Sequence, residues 1–196
     1  MATYSALVVP VLEAEEVVGR YRRRLDPTTR RGMPAHITVV APFAPPSEID
    51  EATLTLLTSV LGELSAFRFE LRQIGWFGDK VTYLTPEPAE PFVEMTRRVV
   101  SAFPSYVPYG GEFAEVVPHL TVGEGAHPIR LRRAARRLHE KVPVRARANE
   151  VWLMTLDDER TRWRRSHTFV LGDRRGATDP ALGADHQGAP SPDPPQ

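Results

Sequence analysis

The chain writes one phrase twice. Residues 34–40 read PAHITVV and residues 118–122 read PHLTV, the two histidines standing 83 residues apart. In an extended strand residues i and i+2 share a face, so His36 and Thr38 project together while Ile37 points the other way. His119, Thr121 and Leu120 repeat that arrangement. Each strand offers an imidazole and a hydroxyl to one side and anchors itself with aliphatics on the other. A chain carrying two such strands reads as an α+β duplication, in which a pseudo-two-fold axis sets the two phrases face to face.

The remaining pattern fills in around that pair. Residues 4–11 (YSALVVPV) read as a buried strand, followed by Ala14, Val17, Val18, Tyr21 and Leu25 at helical spacing. After the first histidine strand, Ser47 and Asp50 offer N-caps to a helix striped by Leu56, Leu57, Val60, Leu61 and Leu64. FRFELRQI and KVTYLT flank GWFGD as a hairpin. The second half supplies a helix marked by Phe92, Met95, Val99 and Phe103, the strand AEVVPHLTV, and a helix carrying Leu131, Ala134, Ala135 and Leu138. Three strands follow, VPVRARA, EVWLMTL and WRRSHTFVL. The expected total is about eight strands and four helices, divided near residue 87. From residue 173 the tail is rich in Pro, Gly, Ala and Asp without an apolar period, and disorder is expected there.

Composition removes several classes of function. With no cysteine there is no disulfide, thiolate metal site or cysteine nucleophile. The 25 basic and 25 acidic residues cancel, so bulk charge argues for no polyanionic partner. The N-terminus lacks the pattern of a signal peptide and no run of about 18 apolar residues occurs, so a cytoplasmic protein without membrane association is expected. No Walker sequence, dinucleotide-type glycine fingerprint, HExxH or GxSxG is present.

Two histidines facing one another across a cleft suit general acid–base chemistry near neutral pH, one neutral and taking a proton, the other charged and giving one. Thr38 and Thr121 can donate hydrogen bonds to non-bridging phosphate oxygens as charge builds. The matching reaction is phosphodiester cleavage, and it requires neither metal nor cofactor. Among aromatics in turns near these strands (Phe43, Trp76, Phe77, Tyr106 and Tyr109), Phe43 and Tyr109 are the best placed to stack on a base. Arg164 and Arg165 occupy opposite faces of the last strand, so only one can reach a cleft.

HITV and HLTV resemble the two HxTx signatures of the 2H phosphoesterase superfamily, specifically the 2′-5′ RNA ligase / RNA 2′,3′-cyclic phosphodiesterase-like family. The resemblance extends over roughly residues 3–172, through IGWFGDKVTYL, PYGGEFAEVVPHLTVG and VWLMTLDDERTRWRRSHTFVLG. The first motif departs from the commoner pattern by continuing as VVAPF. The resemblance implies a duplicated two-lobed α/β sandwich with antiparallel sheets around a central cleft, here lobes 1–87 and 88–172. It implies metal-free catalysis with His36 as general acid, His119 as general base, and Thr38 and Thr121 on the phosphate. The expected substrate is RNA or a small nucleotide with a cyclic phosphate, handled by a monomer with no obligate protein partner. The alternative is a non-catalytic module gripping a nucleotide or RNA in the same cleft, and a third is an interaction protein using the arginine-rich helix 128–141.

Overall fold

Strand β1 (Ser5–Pro10) is buried along its whole length because it is covered on both faces. Leu7 and Val9 enter the main core, while Ala6 and Val8 join a smaller apolar cluster with Met33 and Met154 on the opposite side. The computed structural model describes residues 4–106, 116–156 and 162–172. Eight strands run through these residues: β1, β2 (His36–Val40), β3 (Phe67–Phe77), β4 (Val81–Glu87), β5 (Leu120–Glu124), β6 (Val144–Ala148), β7 (Glu150–Leu156) and β8 (Trp163–Val170). They form two four-stranded sheets, ordered β2-β1-β7-β8 and β5-β4-β3-β6, antiparallel throughout.

The helices are α1 (Glu15–Leu25), the short α2 (Pro27–Arg30), α3 (Glu51–Gly62), α4 (Glu90–Ala102) and α5 (Pro128–His139). Four of these five are those the apolar spacing predicts, and α2, with no buried residue, is not anticipated by it. Asp50 caps α3 by accepting from the Thr53 backbone N–H at 2.8 Å, and His127 caps α5 through Ile129. In α5, Leu131, Ala134, Ala135 and Leu138 are buried and the intervening arginines face outward. That helix packs on β3 and β4, and its apolar stripe joins the core with Leu120 and Val122. It therefore covers the face of the second sheet opposite His119 and Thr121.

One expectation is corrected by this topology. The lobes do not follow the sequence halves 1–87 and 88–172, because each sheet takes two strands from each half. The helices cross over too: α1 packs against β5 and α4 against β2. Thr96 of α4 donates to the Val39 carbonyl at 3.0 Å, a buried bond joining the second half's helix to the first half's histidine strand. Each half thus completes the other's core, and one continuous apolar cluster spans both sheets. The tail 173–196 lies outside the described residues.

Candidate active site

Both histidine strands are sheet edges, each paired to one neighbour, and each carries an irregularity at the same place. Val8 of β1 lies opposite Thr38 but Leu7 lies opposite Val40, so Val39 is an extra residue in β2. Tyr83 of β4 lies opposite Thr121 but Thr82 lies opposite Gly123, so Val122 is an extra residue in β5. A bulge reverses the alternation beyond it. After Thr38 the next side chain in the cleft is therefore Ala41, and after Thr121 it is Glu124. Gly123 falls on the core side, where a Cβ would come within 2.7 Å of Leu131 and 2.8 Å of Leu25. Its lack of a side chain is what lets α1, α5 and β5 meet.

The cleft between the edges has a volume of about 470 Å³, and His36, Thr38, His119 and Thr121 all line it. The imidazoles are held alike. His36 Nδ1 donates to the Pro34 carbonyl at 2.8 Å and His119 Nδ1 donates to the Val117 carbonyl at 2.7 Å. In the neutral rings Nε2 is then the free basic nitrogen. The backbone before His36 is itself fixed, since Glu15 accepts from the Ala35 N–H at 2.6 Å and Val11 donates to the Ala35 carbonyl at 2.8 Å.

Their surroundings differ. Burial, and after it the Arg22 guanidinium, push the His36 pKa down to about 4, with His119 adding a smaller push in the same direction. The His119 pKa is lowered by burial, against the opposing bond to Val117. His119 packs edge-on to Phe77 at 5.0 Å and against Tyr83 at 5.1 Å. Tyr83 can lie there because its partner across the hairpin is Gly75, where any Cβ would sit 2.2 Å from the Tyr83 ring.

Behind His36 is a buried ion pair. Arg22, 1% exposed, donates to Asp26 from Nη2 at 2.8 Å and from Nε at 3.2 Å, and its Nη1 is buried without a hydrogen-bond partner. Asp26 also accepts from the Thr28 backbone and hydroxyl, at 2.8 and 2.7 Å, and so caps α2. Burial alone would raise the Asp26 pKa, but Arg22 and Thr28 outweigh it and hold the carboxylate below its ordinary value. Asp26, Thr28 and Glu124 all line the cleft, where burial and then the Asp26 charge raise the Glu124 pKa.

Phe43 is corrected. It does not reach the cleft but is buried, with ring centroids 5.3 Å from Phe103 and 5.2 Å from Tyr106. Past the end of β2 the bond from Phe43 N–H to the Ser5 carbonyl at 2.8 Å holds the chain along β1, and the ring turns to the core side. Tyr109 and the DDER stretch lie outside the described residues. Of the other aromatics flagged in the sequence, Phe77 lines the cleft and Tyr106 bonds Glu48 at 2.9 Å. The apolar wall beside Thr38 is instead built by Tyr4, Ala6, Val8, Met33, Ala41 and Trp163. Sequence reasoning overlooked these residues, although Tyr4, Ala6 and Val8 share one face of β1 by simple alternation. Among the described residues no cluster of three or more His, Asp or Glu side chains could hold a metal ion, and no helix is long and apolar enough to cross a membrane.

The profile of the 2′-5′ RNA ligase superfamily matches residues 9–160. Among solved structures, TT0787 of Thermus thermophilus is 18% identical with a TM-score of 0.61, over 89% of this chain and 100% of that one. E. coli LigT complexed with NADP+ is 17% identical with a TM-score of 0.55, over 88% of this chain and 99% of that one. LigT complexed with 3′-AMP is 15% identical with a TM-score of 0.56, over 87% and 98%. At these identities the likeness is one of fold. No curated protein matches the sequence.

Proposed function

The chain belongs to the 2′-5′ RNA ligase superfamily, and from that premise we propose that it is a metal-independent phosphoesterase that opens 2′,3′-cyclic phosphates at RNA ends or on nucleotides. The observation that carries this reading is the pair of matched half-sites in one cleft. Each has an imidazole locked through Nδ1 by the carbonyl two residues before it, and each has a threonine hydroxyl two residues on, followed by the same bulge. The complexes of LigT with 3′-AMP and NADP+ support a nucleotide as the substrate class.

In this mechanism the cyclic phosphate sits between the histidines, and Thr38 and Thr121 donate to its non-bridging oxygens. One Nε2 takes a proton from the attacking water while the other gives one to the departing ribose oxygen. Each transfer is worth roughly 10²- to 10⁴-fold. The resemblance implies His36 as acid and His119 as base, but the electrostatics of the free site support the reverse. His36, with a buried cation behind it, is the ring more readily neutral, and that suits the base. Burial lowers the His119 pKa too, but less than that of His36, so His119 is the ring that more readily holds a proton and suits the acid.

The test is hydrolysis of 2′,3′-cyclic nucleotides and of RNA with a cyclic end, in chelator, by wild type, His36→Ala and His119→Ala. Turnover by the wild type that the chelator leaves unaffected, and a loss of at least 100-fold in each variant, are expected. Full activity in either variant would remove the mechanism. Binding of nucleotides without turnover by the wild type would favour the non-catalytic module.

A further inference from the structure

The cleft face of the first sheet continues past the histidine. Thr38 lies opposite Val8, and Val8 on its other side lies opposite Trp152 of β7. One step along, Ala6 lies opposite Met154, and Met154 lies opposite Arg165 of β8. Neighbouring strands are about 4.8 Å apart, so Trp152 stands about 10 Å from the Thr38 backbone. Arg165 is laid over Trp152, its guanidinium carbon 4.5 Å from the ring centroid. The indole is itself fixed, its Nε1 donating to Glu150 at 2.7 Å. Among the described residues no carboxylate lies within ion-pair distance of Arg165, which is exposed.

Between the histidine and this arginine the floor is apolar. It is made of Ala6, Val8 and Met33, with Tyr4 and Trp163 packed edge to face at 5.8 Å beside it. Trp163 is anchored by its backbone N–H to the Arg31 carbonyl at 2.7 Å. Such a surface accepts a planar ring by contact and offers few polar groups to read its edge. A guanidinium resting on an aromatic ring is weakly hydrated and already oriented, and its planar fork suits a phosphate better than a lysine would. The face thus presents, in order, a site for a reacting phosphate, a hollow for a base and an exposed cation.

We propose that Arg165, held on Trp152, receives the phosphodiester preceding the cyclised nucleotide, so that the protein acts on the end of an RNA strand in preference to a free cyclic mononucleotide. This rests on the phosphoesterase reading above. A mononucleotide fills the cleft and the hollow but leaves Arg165 unused. A strand adds one charge-assisted contact, and binding of the strand carries the salt dependence of that contact.

The experiment compares a trinucleotide ending in 2′,3′-cyclic phosphate with the corresponding cyclic mononucleotide, using wild type, Arg165→Ala and Arg165→Lys. The wild-type kcat/KM for the trinucleotide exceeds that for the mononucleotide by about 10-fold or more, mostly through KM. In Arg165→Ala that ratio falls to near one, and Arg165→Lys restores part of it. A wild-type ratio of one, or a ratio unchanged in Arg165→Ala, overturns the proposal. If neither substrate is hydrolysed, fluorescence anisotropy with a labelled trinucleotide ending in 3′-phosphate decides separately. About 10-fold weaker binding by Arg165→Ala upholds the arginine contact while the hydrolytic reading falls, and equal binding overturns both.

Discussion

Replacing Arg22 with methionine tests whether the buried ion pair both holds the fold and sets the charge of His36. Methionine keeps much of the apolar stem but removes the cation from Asp26, which is 2% exposed. Breaking a buried pair by deleting one partner costs about 3–5 kcal/mol. Part of that is offset, because the variant no longer buries Nη1, which lacks a hydrogen bond and reaches Glu15 only at 4.0 Å, a cost of about 1–3 kcal/mol in the wild type. Thr28 also continues to donate twice to Asp26. The net expectation is a loss of about 2 kcal/mol at pH 7, read by urea denaturation, and a fall in Tm of roughly 4–8 °C.

The sign of the pH dependence is specific. Asp26 has a depressed pKa in the folded wild type, so its pairing stabilises above the unfolded value of 3.8 and is lost as pH falls through the folded value. Without Arg22, burial dominates and the Asp26 pKa rises, so the variant regains relative stability as its carboxyl protonates in mild acid. His36 acts in the same direction. Between pH 6.5 and about 4 the unfolded wild type binds a proton that the folded state refuses, so stability falls as pH is lowered across that window. Removing Arg22 lifts the folded His36 pKa and reduces that fall. The gap between the two proteins should therefore shrink from pH 7 to pH 4, and an NMR titration should show the His36 resonance moving at higher pH in the variant. A gap below about 0.5 kcal/mol at pH 7, the range of ordinary surface substitutions, or one constant with pH alongside an unshifted His36 titration, would refute the reasoning.

Phe43→Ala should cost about 3–5 kcal/mol of stability in the same urea assay, as expected for a buried ring packed on two others, whereas a base-stacking Phe43 would lose substrate affinity and little stability. A cyclic substrate carrying sulfur at the leaving position needs little proton donation, so it should restore most of the rate lost in His119→Ala and little of that lost in His36→Ala. The opposite rescue would return the acid role to His36.

The histidine strands were legible because period-two alternation is a local property, and His36, Thr38, His119 and Thr121 reach the cleft as that alternation predicts. The helices were legible for the same reason, with Leu131, Ala134, Ala135 and Leu138 buried on one stripe. What the sequence hid is non-local. Nothing near β1 announces that its second partner is β7, far along the chain at Glu150–Leu156, so the even division into two sequential lobes failed. The bulges were hidden too, since an extra residue shows only against its partner strand. Strict alternation from Thr38 and Thr121 leads to Val40 and Gly123, whereas the cleft receives Ala41 and Glu124. Phe43 was misplaced for a different reason, since it lies beyond the end of β2, where its backbone N–H bonds the Ser5 carbonyl and its ring packs on Phe103 and Tyr106.

The bulges also reveal how a duplicated site acquires direction. Val8 and Tyr83 hold the same position, each opposite the motif threonine, and Ala41 and Glu124 each stand three residues beyond it. The helices keep the correspondence: buried Val18, Tyr21, Arg22 and Leu25 of α1 have the spacing of Phe92, Met95, Thr96 and Val99 of α4. Arg22 thus answers to Thr96, which satisfies itself on the Val39 carbonyl. A pair of identical half-sites would give both imidazoles the same proton affinity, and neither would be preferred as donor. Here one ring lies near a buried guanidinium and the other rests against two aromatic rings. Such a difference, placed at equivalent positions beneath equivalent strands, separates the two proton affinities without disturbing the geometry that the catalytic reading requires of both. The backbone supplies the symmetry that faces the histidines toward one phosphate, and three side-chain replacements, Val8 for Tyr83, Ala41 for Glu124 and Arg22 for Thr96, break it.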